Sequence, residues 1–266
     1  MPIDIKSSFA FDLEEPTDVL LQFEAAMIPE QQLSDISTQM SAAEHVARVP
    51  AQDSIGDRLW VRAQGSFEVE YTATAEIRRQ LADLASLGAV DPHDMPGEVV
   101  PYLFASRYCP AQKFQYFADA EFGDLRGGER IAAMADWVAE RFTYEPGSST
   151  ADTTALDSLV ERRGICRDYA HVMVTLARAS TIPARYVSCY APGVTPPDFH
   201  AVAEVFLADP ELGGGTWQLV DATRMAEPAN TVKIGVGRDA ADVSFLTSFG
   251  PTQFRESKVE VTHREA

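Results

Sequence analysis

The chain has 266 residues, 45% of them hydrophobic and 23% charged, an ordinary globular composition with length for one large domain or two smaller ones. Lys and Arg number 22 against 40 Asp and Glu, a formal charge of −18; such an excess repels phosphate backbones and anionic lipid and sets nucleic-acid and membrane-surface partners aside. No apolar run has the length of a membrane span, and Met1 to Phe11 shows no signal-peptide pattern. Three cysteines, Cys109, Cys166 and Cys189, are odd in number and include no Cys-x-x-Cys pair, so neither a disulfide framework nor a cysteine zinc cluster is indicated. The expected compartment is the cytoplasm.

The first seventy-five or so residues alternate in short strand-like bursts, at Ile3–Ile5, Val19–Phe23, Leu59–Val61 and Phe67–Tyr71, as in an antiparallel sheet or small sandwich. Thr74 to Leu87 reads as a helix. Asp91 to Pro110 holds Pro92, Pro96, Pro101 and Pro110, cannot be one regular element, and is the expected connection between two halves. From Gly128 to Phe142, Ile131, Met134, Val138 and Phe142 follow helical spacing. Asp152 or Thr153 is positioned to cap a short helix through Glu161, and a further helix is expected from about Cys166 to Ser180, stopped by Pro183. Strands follow at Arg185–Tyr190, Ala201–Leu207 and Thr216–Ala222, the last two joined by a turn-rich connection from Ala208 to Gly215. Helices first and strands afterwards argue an α+β fold.

Gly164-Ile165-Cys166-Arg167-Asp168-Tyr169 places Cys166 in the first turn of a helix, where unpaired N–H groups and the macrodipole favour a thiolate. Gly164 is expected to allow a sharp turn and leave room for a substrate carbonyl. A buried cysteine packing a helix start fits the same local text. The hairpin adds a second observation: pairing its strands about the centre of their connection sets His200 opposite Asp221 on one face. A carboxylate there fixes the imidazole tautomer and leaves the other ring nitrogen for a thiol. Cys166 as nucleophile, His200 as base and Asp221 as orienter form an arrangement for acyl transfer, with the Cys166 backbone N–H as first oxyanion donor. No second donor is identifiable; Gln112, Gln115 and the Tyr108 hydroxyl are loop-region candidates, each with a plainer reading as surface or packing.

These residues resemble the transglutaminase-like superfamily, and within it the bacterial branch described as cysteine proteases. The resemblance is carried by Asp152-Thr153-Thr154-Ala155, Arg163-Gly164-Ile165-Cys166-Arg167-Asp168-Tyr169-Ala170-His171, Ile182 to Ser188, Phe199-His200-Ala201-Val202-Ala203-Glu204-Val205 and Trp217 to Thr223. Order and spacing agree from Gly128 to Thr223, and Gly235 to Val243 looks like the same branch. The resemblance implies a papain-like α+β catalytic domain over residues 101–266, with Cys166, His200 and Asp221 in the roles above, preceded by a β-rich domain over residues 1–100. Val202 departs from relatives that often carry an aromatic there, a change expected at the pocket wall.

The remaining residues have plainer readings. His171 is rotated off the Cys166 direction and reads as packing, Asp168 as a first-turn acid, and Glu204 as half of a salt bridge. Cys109 and Cys189 read as structural. Gly213-Gly214-Gly215 is a turn and not a phosphate loop. His45, His93 and His263 are scattered, with no metal-ligand spacing, and no cofactor or metal is expected. The leading function is a cysteine-dependent hydrolase of peptide or amide bonds acting on a peptide, protein or amide substrate. A transglutaminase that passes the acyl group to an amine shares the first half-reaction, and a non-catalytic scaffold on the same fold belongs to another class. The oligomeric state is not legible.

Overall fold

The computed structural model describes residues 1–209 and 213–264. The bursts near the N-terminus merge into two long antiparallel strands, β1 (Ile3–Leu21) and β4 (Asp57–Ile77), bracketing β2 (Gln31–Met40) and β3 (His45–Pro50). Odd-numbered β1 residues from Ile3 to Leu13 point inward and are buried, which is the alternation a one-sided sheet requires. A register shift between Leu13 and Thr17 spans Pro16, whose missing N–H cannot join a ladder. Thr74 to Ile77 is the end of β4, because Ala75 pairs with both Ile3 and Leu33. The helix expected over residues 74–87 is therefore absent: cross-strand pairing claims its first turn, and the remainder is irregular up to a 3₁₀ turn at Leu84–Ser86 capped by Asp83.

The proline-rich segment is a run of loops and 3₁₀ turns. Beyond it come α1 (Gln115–Phe122), α2 (Gly127–Arg141), β5 (Thr143–Tyr144), α3 (Ala155–Glu161), β6 (Arg163–Gly164) and α4 (Cys166–Ala179). The strands β7 (Ala184–Tyr190), β8 (His200–Ala208), β9 (Gly215–Val220) and β10 (Val232–Gly237) then form an antiparallel sheet in the order β10-β7-β8-β9. Ile131, Met134 and Val138 of α2 join Val172, Met173 and Leu176 of α4 and Ala203, Val205 and Leu207 of β8 in one core. Thr154, not Asp152 or Thr153, caps α3, in a reciprocal box with Asp157. Part of the expected turn between β8 and β9, Pro210 to Leu212, lies outside the described residues.

The chain then returns to the first sheet. β11 (Leu246–Ser248) and β12 (Thr252–His263) both pair with β1, on the edge away from β4. The division expected near residue 100 is thus not a clean cut in sequence, since residues 246–263 complete the N-terminal sheet. The inner face of that sheet packs on Tyr190, Val232 and Ile234. Tyr190 is fully buried, shares a hydrogen bond with Ser7 Oγ at 2.9 Å, and donates to the Phe23 carbonyl at 2.6 Å. Among the described residues no helix is long and apolar enough to cross a membrane.

Candidate active site

The site begins with how α4 starts. Arg162 ends α3 in the left-handed region at φ 57°, turning the chain into β6, which pairs in parallel with β5 so that Tyr144 lies beside Gly164. Asp168 is fully buried and folds back, its carboxylate accepting the Ile165 N–H at 2.9 Å. A Cβ on residue 164 would come within 2.5 Å of the Asp168 Cβ. The open space at Gly164 therefore belongs to this capping carboxylate and not to the substrate carbonyl expected there. Cys166 follows as the first residue of α4, 9% exposed, on the wall of a cleft of about 590 Å³.

His200 opens β8 and is 1% exposed. In the ladder Ala203 pairs with Val220 and Val205 with Gln218, a register that, continued, would set residue 223 across from His200. It differs by two residues from the expected one. A two-residue shift keeps every side chain on its face, and Asp221 lies one residue past the end of β9, where the chain curls back. His200 Nε2 and Asp221 Oδ2 are 2.9 Å apart. The carboxylate is itself fixed by the N–H groups of Thr223 at 2.8 Å and Ala226 at 2.8 Å, and by the Thr223 hydroxyl at 2.7 Å.

With Nε2 engaged by Asp221, the buried Nδ1 has no hydrogen-bond partner among the described residues. The Cys166 thiol interacts with the same ring. Burial opposes a charged His200, but the Asp221 hydrogen bond, and after it the nearby Cys166 thiol, overcome that and push the imidazole up to about 9. Burial likewise opposes a charged Asp221, yet the His200 hydrogen bond and charge hold this carboxyl below its usual range.

Sequence reasoning missed Tyr144. Its ring packs against Cys166 and its neighbours, and its hydroxyl is pushed up to about 12, first by burial and then by the Cys166 charge, against the opposing pull of the Cys166 backbone N–H. No local motif marks this residue; only its pairing beside Gly164 brings it in.

The other candidates separate cleanly. Tyr108 lines the cleft, stacked on His171 at 5.1 Å, whereas Gln112 and Gln115 are exposed outside its lining. His171 is fully buried, accepts the Ala240 N–H on Nε2 at 3.1 Å, and is kept neutral by burial, then by Arg167 and Arg178. Cys109 and Cys189 are fully buried, and burial pushes the first up to about 11 and the second well above its ordinary value. Val202 packs with Val187, Cys189 and Leu219 beneath the sheet, not at the cleft wall. Glu204 is ion-paired with Arg185 and Lys233. Asp91, His93 and Asp94 bring ligand-type atoms within 4.8 Å of one another on an exposed turn outside the cleft.

A thiol at a helix start, beside an imidazole whose far nitrogen is held by a carboxylate, is an arrangement suited to nucleophilic acyl chemistry. The chain belongs to the transglutaminase-like superfamily, whose profile matches residues 118–222. A crystal structure of a protein from Cytophaga hutchinsonii, described as a putative cysteine protease, superposes with a TM-score of 0.89 at 32% identity, over 100% of this chain and 91% of that one. An uncharacterized protein of Mycobacterium leprae is 29% identical over 126 residues, covering 44% of this chain and 42% of that protein. One of Mycobacterium tuberculosis is 30% identical over 144 residues, covering 50% and 46%. The chain thus spans less than half the length of these mycobacterial relatives.

Proposed function

We propose that this protein is a cysteine-dependent hydrolase of peptide or amide bonds, with Cys166 as nucleophile, His200 as general base and acid, and Asp221 as the residue that orients His200. The observation that carries this reading is the 2.9 Å His200–Asp221 contact on Nε2, which leaves Nδ1 to the thiol in an open cleft. Nδ1 takes the Cys166 proton, and the sulfur adds to the substrate carbonyl. The resulting oxyanion is met by the Cys166 N–H at the start of α4. The imidazolium then gives its proton to the leaving amine as the C–N bond breaks, and a thioester remains. Water, deprotonated by Nδ1, adds to that thioester; the thiol leaves, and a carboxylic acid is released.

Asp221 keeps Nε2 protonated and steadies the imidazolium without taking its proton. Three free thiols suit a reducing compartment, and the cytoplasm is part of this proposal.

The test is a panel of peptide amides assayed with wild type and Cys166→Ala. Hydrolysis with a trapped thioester in the wild type, absent from the variant, is expected; undiminished cleavage by the variant refutes the reading. Adding a glutamine peptide with a labelled primary amine separates the transglutaminase alternative, which label incorporation outrunning hydrolysis would establish. An inert Cys166 thiol in the folded protein would point to a scaffold.

A further inference from the structure

Beside the Cys166 cleft lies a second cavity of about 540 Å³, and the two share Asp198 and Ser257 as wall residues. One side of this cavity is the loop at residues 191–198; the other is Ser257 through Thr262, without a gap. Successive side chains of a strand point to opposite faces, so a cavity lined by six residues in a row faces the strand's edge and not one of its surfaces. That strand is β12, and among the described residues it pairs with β1 alone.

The ladder fixes which backbone groups are unpaired. Arg264 N–H donates to the Pro2 carbonyl at 2.9 Å, and the register runs on as Ile3 with His263 and Asp4 with Thr262. Hydrogen-bonded and non-bonded pairs alternate in an antiparallel ladder. Thr262, Glu260 and Lys258 therefore bond to β1, while Val261, Val259 and Ser257 turn both N–H and C=O outward, into the cavity. An open edge invites any strand, but the loop at residues 191–198 roofs this one into a slot.

The slot leads to apolar ground. A register shift next to Ala10 makes Arg255 an extra residue, so that Phe254 pairs with Phe11 and shares the inward face of Ser257 and Val259. Without that bulge Phe254 would face solvent with Glu256. Instead it joins a three-ring shelf in the Cys166 cleft: the Phe199 and Phe245 rings stack at 5.1 Å, and Phe245 meets Phe254 at 5.7 Å.

We propose that the free edge of β12 is the docking strand for an extended polypeptide substrate, which adds to the sheet through Ser257, Val259 and Val261 and lays an apolar side chain on the phenylalanine shelf as it enters the Cys166 cleft. This inference rests on the hydrolase reading and narrows its substrate class to unfolded or extended chain. Main-chain pairing supplies affinity with little sequence demand, and the shelf supplies the preference. At about 3.3 Å per residue, Ser257 to Val261 spans roughly 13 Å, so a substrate must run several residues beyond the cut bond to use the whole edge.

The experiment is an internally quenched peptide series with a central Phe, lengthened one residue at a time in each direction from four to twelve. Lengthening one arm is expected to raise kcat/KM at least tenfold before it levels off. In Val261→Pro, which deletes one outward N–H while leaving the bonds to β1 in place, that gain shrinks. N-methylation walked along the long arm keeps the test independent of how that variant folds. Losses at every second residue are the signature of strand pairing; a uniform effect, or none, overturns the proposal. Cleavage with no length dependence overturns this inference alone, whereas no cleavage of any member overturns the hydrolase reading and this inference with it.

Discussion

Glu204 lies on β8 four residues after His200 and is fully buried. It accepts from Arg185 Nε at 2.7 Å and from Lys233 Nζ, side chains 6% and 2% exposed. Burial alone would raise its carboxyl, but the charges of Lys233 and Arg185 prevail and bring it down to about 2. Glu204→Gln keeps the shape and removes the charge shared by the two cations. Breaking a buried pair by removing one partner costs about 3–5 kcal/mol. Here Arg185 keeps Asp53 at 3.0 Å and Lys233 keeps Glu30 at 2.5 Å, which places the cost near the lower end, about 3 kcal/mol.

At about 2.1 cal/mol/K of unfolding entropy per residue, 266 residues give about 0.56 kcal/mol/K, so Tm should fall by about 5 °C. Calorimetry at pH 7 is the assay. The folded pKa lies below the ordinary value of 4.5, so the contribution is complete above that pH and is lost as pH falls toward 2; acidification should close the gap between wild type and variant. A Tm change under about 1 °C at pH 7, or a gap indifferent to acid, would refute the reasoning.

Three further outcomes are expected. Hydrolysis that uses the His200 imidazolium should decline as pH rises through about 9, and Asp221→Asn should both slow the reaction by about two to four orders of magnitude and move that alkaline limb to lower pH; pH–rate profiles of the two proteins check this. Iodoacetamide at neutral pH should label Cys166 in the folded protein and leave Cys109 and Cys189, fully buried with raised thiol pKa values, to react only after unfolding, as peptide mass mapping will show. Thr154→Ala removes the α3 capping box and should cost about 1 kcal/mol in chemical denaturation without altering the cleft.

Local patterns made the helices of the second half legible. The three-and-four spacing of Ile131, Met134 and Val138 and the helix start at Cys166 depend on neighbours in sequence, and the structure forms α2 and α4 there. His200 and Asp221 were paired from a register two residues away from the observed one, and they still meet because the face survives a shift of two. What stayed hidden depends on distant partners. Thr74 to Ile77 carries no local sign that β1 and β2 hold it as strand. Tyr144 reaches Cys166 through a two-residue parallel pairing, and β12 finds β1 from the far end of the chain. The space at Gly164 was visible in the sequence, but not that Asp168 fills it.

The pairing of Leu13 with Thr252 joins residues that leave the ribosome far apart in time. At roughly 5–20 residues per second, the first strand waits on the order of ten to fifty seconds for its last neighbour. Phe254, which walls the cleft, arrives with that late strand, after Cys166, His200 and Asp221 have been translated. Cys166 therefore waits through about a third of the chain's synthesis for the ring that walls its cleft, and that ring comes with the closing of a sheet to which none of those three residues belongs.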